Sequence, residues 1–195
     1  MMPLTYFIRH GETDWNAEGR LQGQADTDLN ANGRRQAERN GHRLAELIER
    51  PADFDFIASP LKRTRETMER LRRAMDLDPL AYRTDPRLVE VHFGAWQGFT
   101  FAELEADRPG STKARRRDKW NFCPPGRSGE SYEMLKERIA PWLGELSRPT
   151  VCVTHGGVVR VLFRLFGGLG EQKAAAMPVP QDRLLRFRDG ELVWL

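Results

Sequence analysis

Residues 4–11 read LTYFIRHG, and residues 151–157 read VCVTHGG. Each opens as a short apolar run and stops at a histidine followed by glycine. Short continuous apolar runs with no polar alternation suit strands covered on both faces. The reading is therefore of strands at 4–8 and 151–154. In open α/β sheets, ligands bind beyond the carboxyl ends of the strands. Two strands that end in histidine predict two histidines at one edge.

Working outward from these runs, the chain alternates strands with helices. Residues 30–50 carry Ala37, Leu44, Leu47 and Ile48 on one helical stripe. Residues 54–58 read as another strand, and Ser59-Pro60 as the N-cap and first position of a following helix. That helix buries Leu61, Thr64, Met68, Leu71 and Met75. Short strands are expected at 80–84 and 88–91, and a helical turn at 101–106. Residues 123–129, CPPGRSG, read as a loop. Residues 130–146 read as a helix with Tyr132, Leu135, Ile139, Trp142 and Leu146 inward, kinked at Pro141. An apolar helix is expected at 158–166. Asp189-Gly190, between runs at 183–187 and 191–194, signals a hairpin. The expectation is one α/β domain over residues 1–195, with 92–129 as an irregular insertion beside the sheet.

The strand ends carry the chemistry. Arg9 beside His10 offers a planar fork suited to phosphate. Glycines after each histidine free backbone amides and allow close approach of a ligand. Arg63 falls on the first turn of the helix after the 54–58 strand. There a fixed cation adds to the oriented amides of a helix N-terminus. Two histidines, two arginines and free amides converging from three strand ends describe an anion pocket containing a nucleophile. Histidine can attack phosphorus and carry a covalent phosphoryl group.

Composition narrows the classes. The chain has 195 residues with 31 Lys and Arg against 28 Asp and Glu, a net charge of +3. That balance is too small to point to nucleic acid by itself, yet it suits an anionic substrate. Two cysteines, Cys123 and Cys152, rule out a disulfide framework and a cysteine-based metal site. Cys152 is expected to pack as a small apolar group, Cys123 to be inert and His42 to lie on the surface. No run is long and apolar enough to span a membrane, and no leader pattern opens the chain, so a cytoplasmic location is expected. The run from Lys113 to Lys119 holds five positive charges and one negative. It reads as a solvated face that can steer anions. A zinc site from His10, Glu12, His92 and His155 has no ligand spacing behind it.

The motifs as a set resemble the histidine phosphatase, or phosphoglycerate mutase-like, superfamily. They are FIRHGETDWN at 7–16, LQGQADTDLNANGRRQA at 21–37, IASPLKRTRET at 57–67, LVEVHFGAWQGFTFAEL at 88–104, PPGRSGES at 124–131 and VTHGGVVR at 153–160. The resemblance covers nearly the whole chain in order. It implies a three-layer αβα sandwich around a mostly parallel sheet, and no metal or other cofactor. It implies that His10 is the phosphorylated nucleophile and Glu90 the acid that protonates the leaving oxygen. Arg9, Asn16, Arg63 and His155 bind the transferred phosphoryl group, and the Gly156 amide contacts it. Gln22 and Gly23 lie close by, and His92, Arg116 and Arg117 stand on the substrate side. The segment 124–131 looks more like short bacterial phosphatases of the α-ribazole phosphatase type, although Arg127-Ser128 adds two residues to their usual PPGGES. The implied activity is hydrolysis of small phosphorylated metabolites. The alternative is a bisphosphoglycerate-dependent mutase, which Arg116 and Arg117 favour as a pair. Phe93 and Phe101 argue against it, standing where mutases carry a tyrosine and a substrate-binding lysine. A non-catalytic phospholigand-binding module would be expected to lose His10, Arg63, Glu90 or His155, and all four are present.

Overall fold

In the computed structural model, residues 2–195 are described. The first run forms β1 (Thr5–Arg9), followed by the single turn α1 (Asp14–Ala17) and the long α2 (Ala31–Leu47). Then come β2 (Asp55–Ala58), α3 (Lys62–Ala74) and a two-residue β3 (Arg83–Thr84). The excursion that follows holds two short helices, α4 (Phe101–Asp107) and α5 (Lys113–Arg117). The chain returns through α6 (Tyr132–Glu145), β4 (Thr150–Thr154), α7 (Gly156–Leu165) and α8 (Glu171–Ala176). It finishes with the hairpin β5 (Leu185–Arg188) and β6 (Glu191–Trp194).

The sheet order is β3-β2-β4-β1-β5-β6. The first four strands in that order are parallel, and the hairpin adds two antiparallel strands at one edge. Successive side chains leave a strand on opposite faces. Accordingly Tyr6, Ile8, Phe56, Ala58, Val151 and Val153 pack with α2 and α3, among Leu44, Met68 and Leu71. Phe7, Ile57 and Cys152 point the other way, into a cluster with Leu135, Ile139 and Trp142 of α6 and Val158, Val159, Val161 and Leu162 of α7. The result is a three-layer α/β sandwich. Burial of each large apolar side chain contributes roughly 1.5–3 kcal/mol. The strands that end in histidine are thus also the best anchored.

The structure corrects several local expectations. Ser59 caps no helix, because α3 begins at Lys62 with Leu61 at its N-cap position. The first turn of α3 is served instead by Asp26, whose Oδ1 accepts from the Lys62 amide at 2.7 Å. Residues 88–91 form no strand. Side chains take the place of a neighbouring strand: Arg138 donates to the carbonyls of Arg87, Val89 and Glu90, and Gln24 also donates to that of Glu90. Pro141 lies inside α6, which continues to Glu145. α7 starts two residues earlier than the apolar run suggests, at Gly156, with His155 at the N-cap position.

Candidate active site

Strand register sets the site. Arg9 pairs with Thr154, and Ala58 with Val153. The residue after each strand therefore emerges at the same edge. The His10 amide donates to the Thr154 carbonyl at 2.9 Å, and the Ser59 amide to the Val153 carbonyl at 3.0 Å. The rings of His10 and His155 lie 5.2 Å apart, edge to face. Gly11 lets α2 approach the backbone just past β1, since a Cβ there would lie 2.2 Å from the Gly33 carbonyl oxygen.

His10 is 3% exposed. Its Nδ1 lies 2.7 Å from the Gly11 carbonyl oxygen. A carbonyl only accepts, so Nδ1 carries the proton and Nε2 keeps its lone pair. Burial, then the charges of Arg63 and Arg9, hold the His10 pKa well below its usual value. The ring is neutral at pH 7, the state a nucleophile needs. His155 is wholly buried and its pKa is likewise lowered, first by burial and then by Arg63. Its Nε2 lies 2.8 Å from Ser59 Oγ, while Nδ1 is without a partner.

Arg63 is buried and Arg9 half-buried, each without an ion pair. Arg9 donates to the Val179 carbonyl, and Arg63 to the carbonyls of Gly23 and Ala25, each at 2.7 Å. Each Nε is buried and unpartnered. Desolvation lowers both pKa values to about 10, so both stay charged at neutral pH. Among the described residues, five buried side-chain polar atoms lack a partner, and three of them are Arg9 Nε, Arg63 Nε and His155 Nδ1. Arg9 Nε and Arg63 Nε, both on residues that line one cavity, are donors that an anion entering it can engage.

Glu90 faces these cations. Both its oxygens accept from the Gly157 amide at 3.0 Å, and Oε1 also accepts from the Val91 amide at 2.9 Å. Gly157 has to be glycine for this, because a Cβ there would lie 2.1 Å from Glu90 Oε1. The Gly156 amide, at the first helical position, has no intrahelical acceptor.

A cavity of about 130 Å³ opens here. Of the residues singled out from sequence, Arg9, His10, Asn16, Gln22, Gly23, Arg63, Glu90 and Gly156 line it. Asn16 Oδ1 accepts from Gln181, which also donates to the His10 carbonyl. Gln22 is held from both sides, donating to Thr13 and accepting from Thr27. His155 sits beside His10 without reaching the cavity wall. His92 is not brought to the cavity; its Nδ1 accepts from the Gly94 amide and fixes the loop. Arg116 and Arg117 point outward, Arg116 toward Glu105 at 3.4 Å. Sequence reasoning gives no site role to Arg160, and reads Tyr132 only as a core residue; both line the cavity. Arg160 lies four residues after Gly156, one helical turn on, which is a signal legible in the sequence. A larger groove of about 520 Å³ between Pro51 and Arg83 holds neither histidine. Among the described residues, no cluster of three or more His, Cys, Asp or Glu side chains is placed to hold a metal ion.

The histidine phosphatase superfamily (branch 1) matches residues 5–190, and the chain belongs to it. It is 36% identical over 168 residues to the glucosyl-3-phosphoglycerate phosphatase of Mycobacterium tuberculosis, covering 80% of this chain and 71% of that one. It is 35% identical over 196 residues to a Klebsiella pneumoniae protein provisionally named phosphoglycerate mutase GpmB, covering 96% and 82%. The native structure of a mycobacterial glucosyl-3-phosphoglycerate phosphatase matches with a TM-score of 0.78 at 32% identity, over 95% of this chain and 90% of that one. An Escherichia coli structure provisionally described as an alpha-ribazole-5′-P phosphatase shares the fold, with a TM-score of 0.80 at 23% identity, over 100% of this chain and 95% of that one. No helix of the described residues is long and apolar enough to cross a membrane.

Proposed function

We propose that the protein hydrolyses small phosphorylated metabolites of the cytoplasm through a phosphohistidine formed on His10. It is a phosphoric monoester hydrolase, in keeping with its superfamily and with phosphatase-named relatives. The observation that carries the reading is the pair of guanidinium groups, each with a buried, unpartnered Nε and no ion pair, beside a neutral imidazole whose Nε2 is free.

In the first step His10 Nε2 attacks phosphorus, and the bond to the leaving oxygen breaks. Arg9, Arg63 and the Gly156 amide hold the phosphoryl oxygens, whose charge they match in the transition state. Glu90 gives its proton to the leaving oxygen as that bond breaks. In the second step the Glu90 carboxylate takes a proton from water, water attacks the phosphohistidine, and phosphate leaves. Asn16 adds a donor to the phosphoryl group and is itself positioned by Gln181. His155, oriented by Ser59, packs edge to face on the His10 ring and holds it in place. The cations of this chain neutralise the phosphoryl group, so no divalent ion is needed. Mutase activity is the less favoured reading: Arg116 and Arg117, the pair that would serve it, point outward.

The test is phosphate release from a panel of phosphorylated metabolites after dialysis against a chelator, with 3-phosphoglycerate plus 2,3-bisphosphoglycerate as the mutase control. Turnover without added metal is expected. Activity that returns only with zinc or magnesium, or brisk interconversion of phosphoglycerates, would contradict the proposal.

A further inference from the structure

Glu90 sits on a stretch of chain that belongs to no strand and to no α-helix. A backbone without ladder partners needs other partners for its polar groups. Here side chains take every carbonyl from Arg87 to Glu90. Thr154 Oγ1 donates to that of Leu88 at 3.0 Å, and Gln24 Nε2 to that of Glu90 at 2.9 Å. Arg138 serves the other two and shares the last: it donates to the carbonyls of Arg87, of Val89 at 3.0 Å and of Glu90 at 3.5 Å. One guanidinium group therefore reaches three of four successive carbonyls that lead to the acid.

Arg138 is itself locked. Its Nε and Nη2 donate to the two Glu130 carboxylate oxygens at 3.0 and 2.8 Å, a bidentate pair. Together with the bonds to the carbonyls, this spends all five N–H groups of the guanidinium. Glu130 also reaches the chain on the far side of the acid. Its Oε2 accepts from the His92 amide at 3.3 Å, and its own amide donates to the His92 carbonyl at 2.9 Å. The pair therefore grips the backbone both before and after the Glu90 side chain. It stands on firm ground, because Leu135 and Ile139, which flank Arg138 on α6, are wholly buried in the core. Neither Arg138 nor Glu130 lines the cavity. Any effect of the pair on the chemistry must pass through Glu90.

We infer that Arg138, locked by Glu130, is a positioning residue for proton delivery: it fixes the backbone from Arg87 to His92 so that the Glu90 carboxylate stands at the leaving oxygen. The inference rests on the reading of Glu90 as the acid. The carboxylate is held at its tip by the amides of Gly157 and Val91. The first of these lies on α7 and does not move with the segment. A shift of the segment would therefore pull the carboxylate off its partner, and a misplacement of about 1 Å costs a catalytic group on the order of 10²-fold. Lysine would keep the charge at 138, but its donors radiate from a single nitrogen. They cannot span three carbonyls and both oxygens of a carboxylate, as the planar fork does.

The test measures single-turnover phosphoryl transfer from propyl phosphate, which needs the proton, and from p-nitrophenyl phosphate, which hardly does. Arg138→Met should slow propyl phosphate about 10²-fold and p-nitrophenyl phosphate less than about tenfold. Arg138→Lys and Glu130→Gln should lose about tenfold or more on propyl phosphate, with the same asymmetry. Each substitution is then repeated in Glu90→Gln. With the acid gone, adding Arg138→Met should cost less than about threefold on propyl phosphate, because both residues act through one group. A merely structural role would repeat its full loss in that background. Melting curves verify folding, and should Arg138→Met not fold, Glu130→Gln carries the same comparison. Equal losses on the two esters, a full loss repeated in Glu90→Gln, or wild-type rates in the folded variants would overturn the inference. Equal losses on the two esters in Glu90→Gln alone would instead overturn the reading of Glu90 as acid.

Discussion

Substituting Gly157→Ala places a methyl group on the Glu90 carboxylate. The new Cβ would stand 2.1 Å from Glu90 Oε1 and 3.1 Å from both Glu90 Cδ and Leu135 Cδ2. Ordinary contact begins near 3.4 Å. The carboxylate must therefore move by on the order of 1 Å, and a misplacement of that size costs a catalytic group about 10²-fold. The hydrogen bonds from the Gly157 amide to Glu90 are disturbed by the same move. An alkyl phosphate has a strongly basic leaving group and needs the proton, so its phosphoryl transfer should slow about 10²-fold. The p-nitrophenolate leaves unaided, so p-nitrophenyl phosphate should lose less than about tenfold. Single-turnover rapid quench on both substrates reads the two losses, and a melting curve shows whether the variant is folded. Glu90→Gln should show the same asymmetry, with a loss of about 10²–10⁴ on alkyl esters. Adding Gly157→Ala to it should cost little more, because both act through one group. Equal losses on the two substrates, or an alkyl phosphate rate like that of the wild type, would refute the assignment of Glu90 as acid.

Other perturbations separate the remaining roles. Arg63→Lys keeps a charge but loses the fork that holds Gly23 and Ala25, so kcat should fall about 10²–10³-fold; wild-type activity would mean that only charge matters. The His10 pKa is held well below 6.5, so kcat/KM, corrected for substrate ionisation, should stay level from pH 7 through 6.5 and fall only in more acid solution. A half-loss at 6.5 would show an ordinary histidine. The same depression has a stability counterpart. Above the unfolded-state value near 6.5 the contribution of neutral His10 and His155 is fully present, and it is lost as pH falls below that, because the unfolded chain takes up protons first. Chemical denaturation of His155→Gln should therefore show a shallower loss between pH 6.5 and 5 than the wild type, and identical slopes would contradict this. Ser59→Ala removes the hydroxyl at His155 Nε2 and should lower kcat with little change in KM, as measured on p-nitrophenyl phosphate.

The sequence was most legible where one signal had one physical cause. Apolar runs ending in His10 and His155 marked the central strands, because strands buried on both faces need continuous apolar residues. Asp189-Gly190 marked the hairpin, with Asp189 and Gly190 both at positive φ. The sequence misled where side chains replace backbone partners. The segment 88–91 has strand composition, but Arg138 and Gln24 occupy its carbonyls, and no local pattern announces bonds from so far along the chain. Ser59 looks like a helix cap because Pro60 follows, whereas its hydroxyl turns to His155. By composition the basic run is one solvated face. Which of its side chains turn inward depends on packing against Phe101 and Phe93, a tertiary fact. Gln181, which joins the C-terminal segment to His10 and Asn16, had no motif of its own.

The central claim is covalent, and its most direct test is to trap the intermediate. Wild-type protein mixed with a labelled phosphomonoester and quenched within one turnover should carry label that acid removes and base leaves, the stability of a phosphoramidate. Peptide mapping should place it on His10, and His10→Ala should abolish both label and turnover. Label that persists in His10→Ala, or that maps to any other residue, would contradict the account.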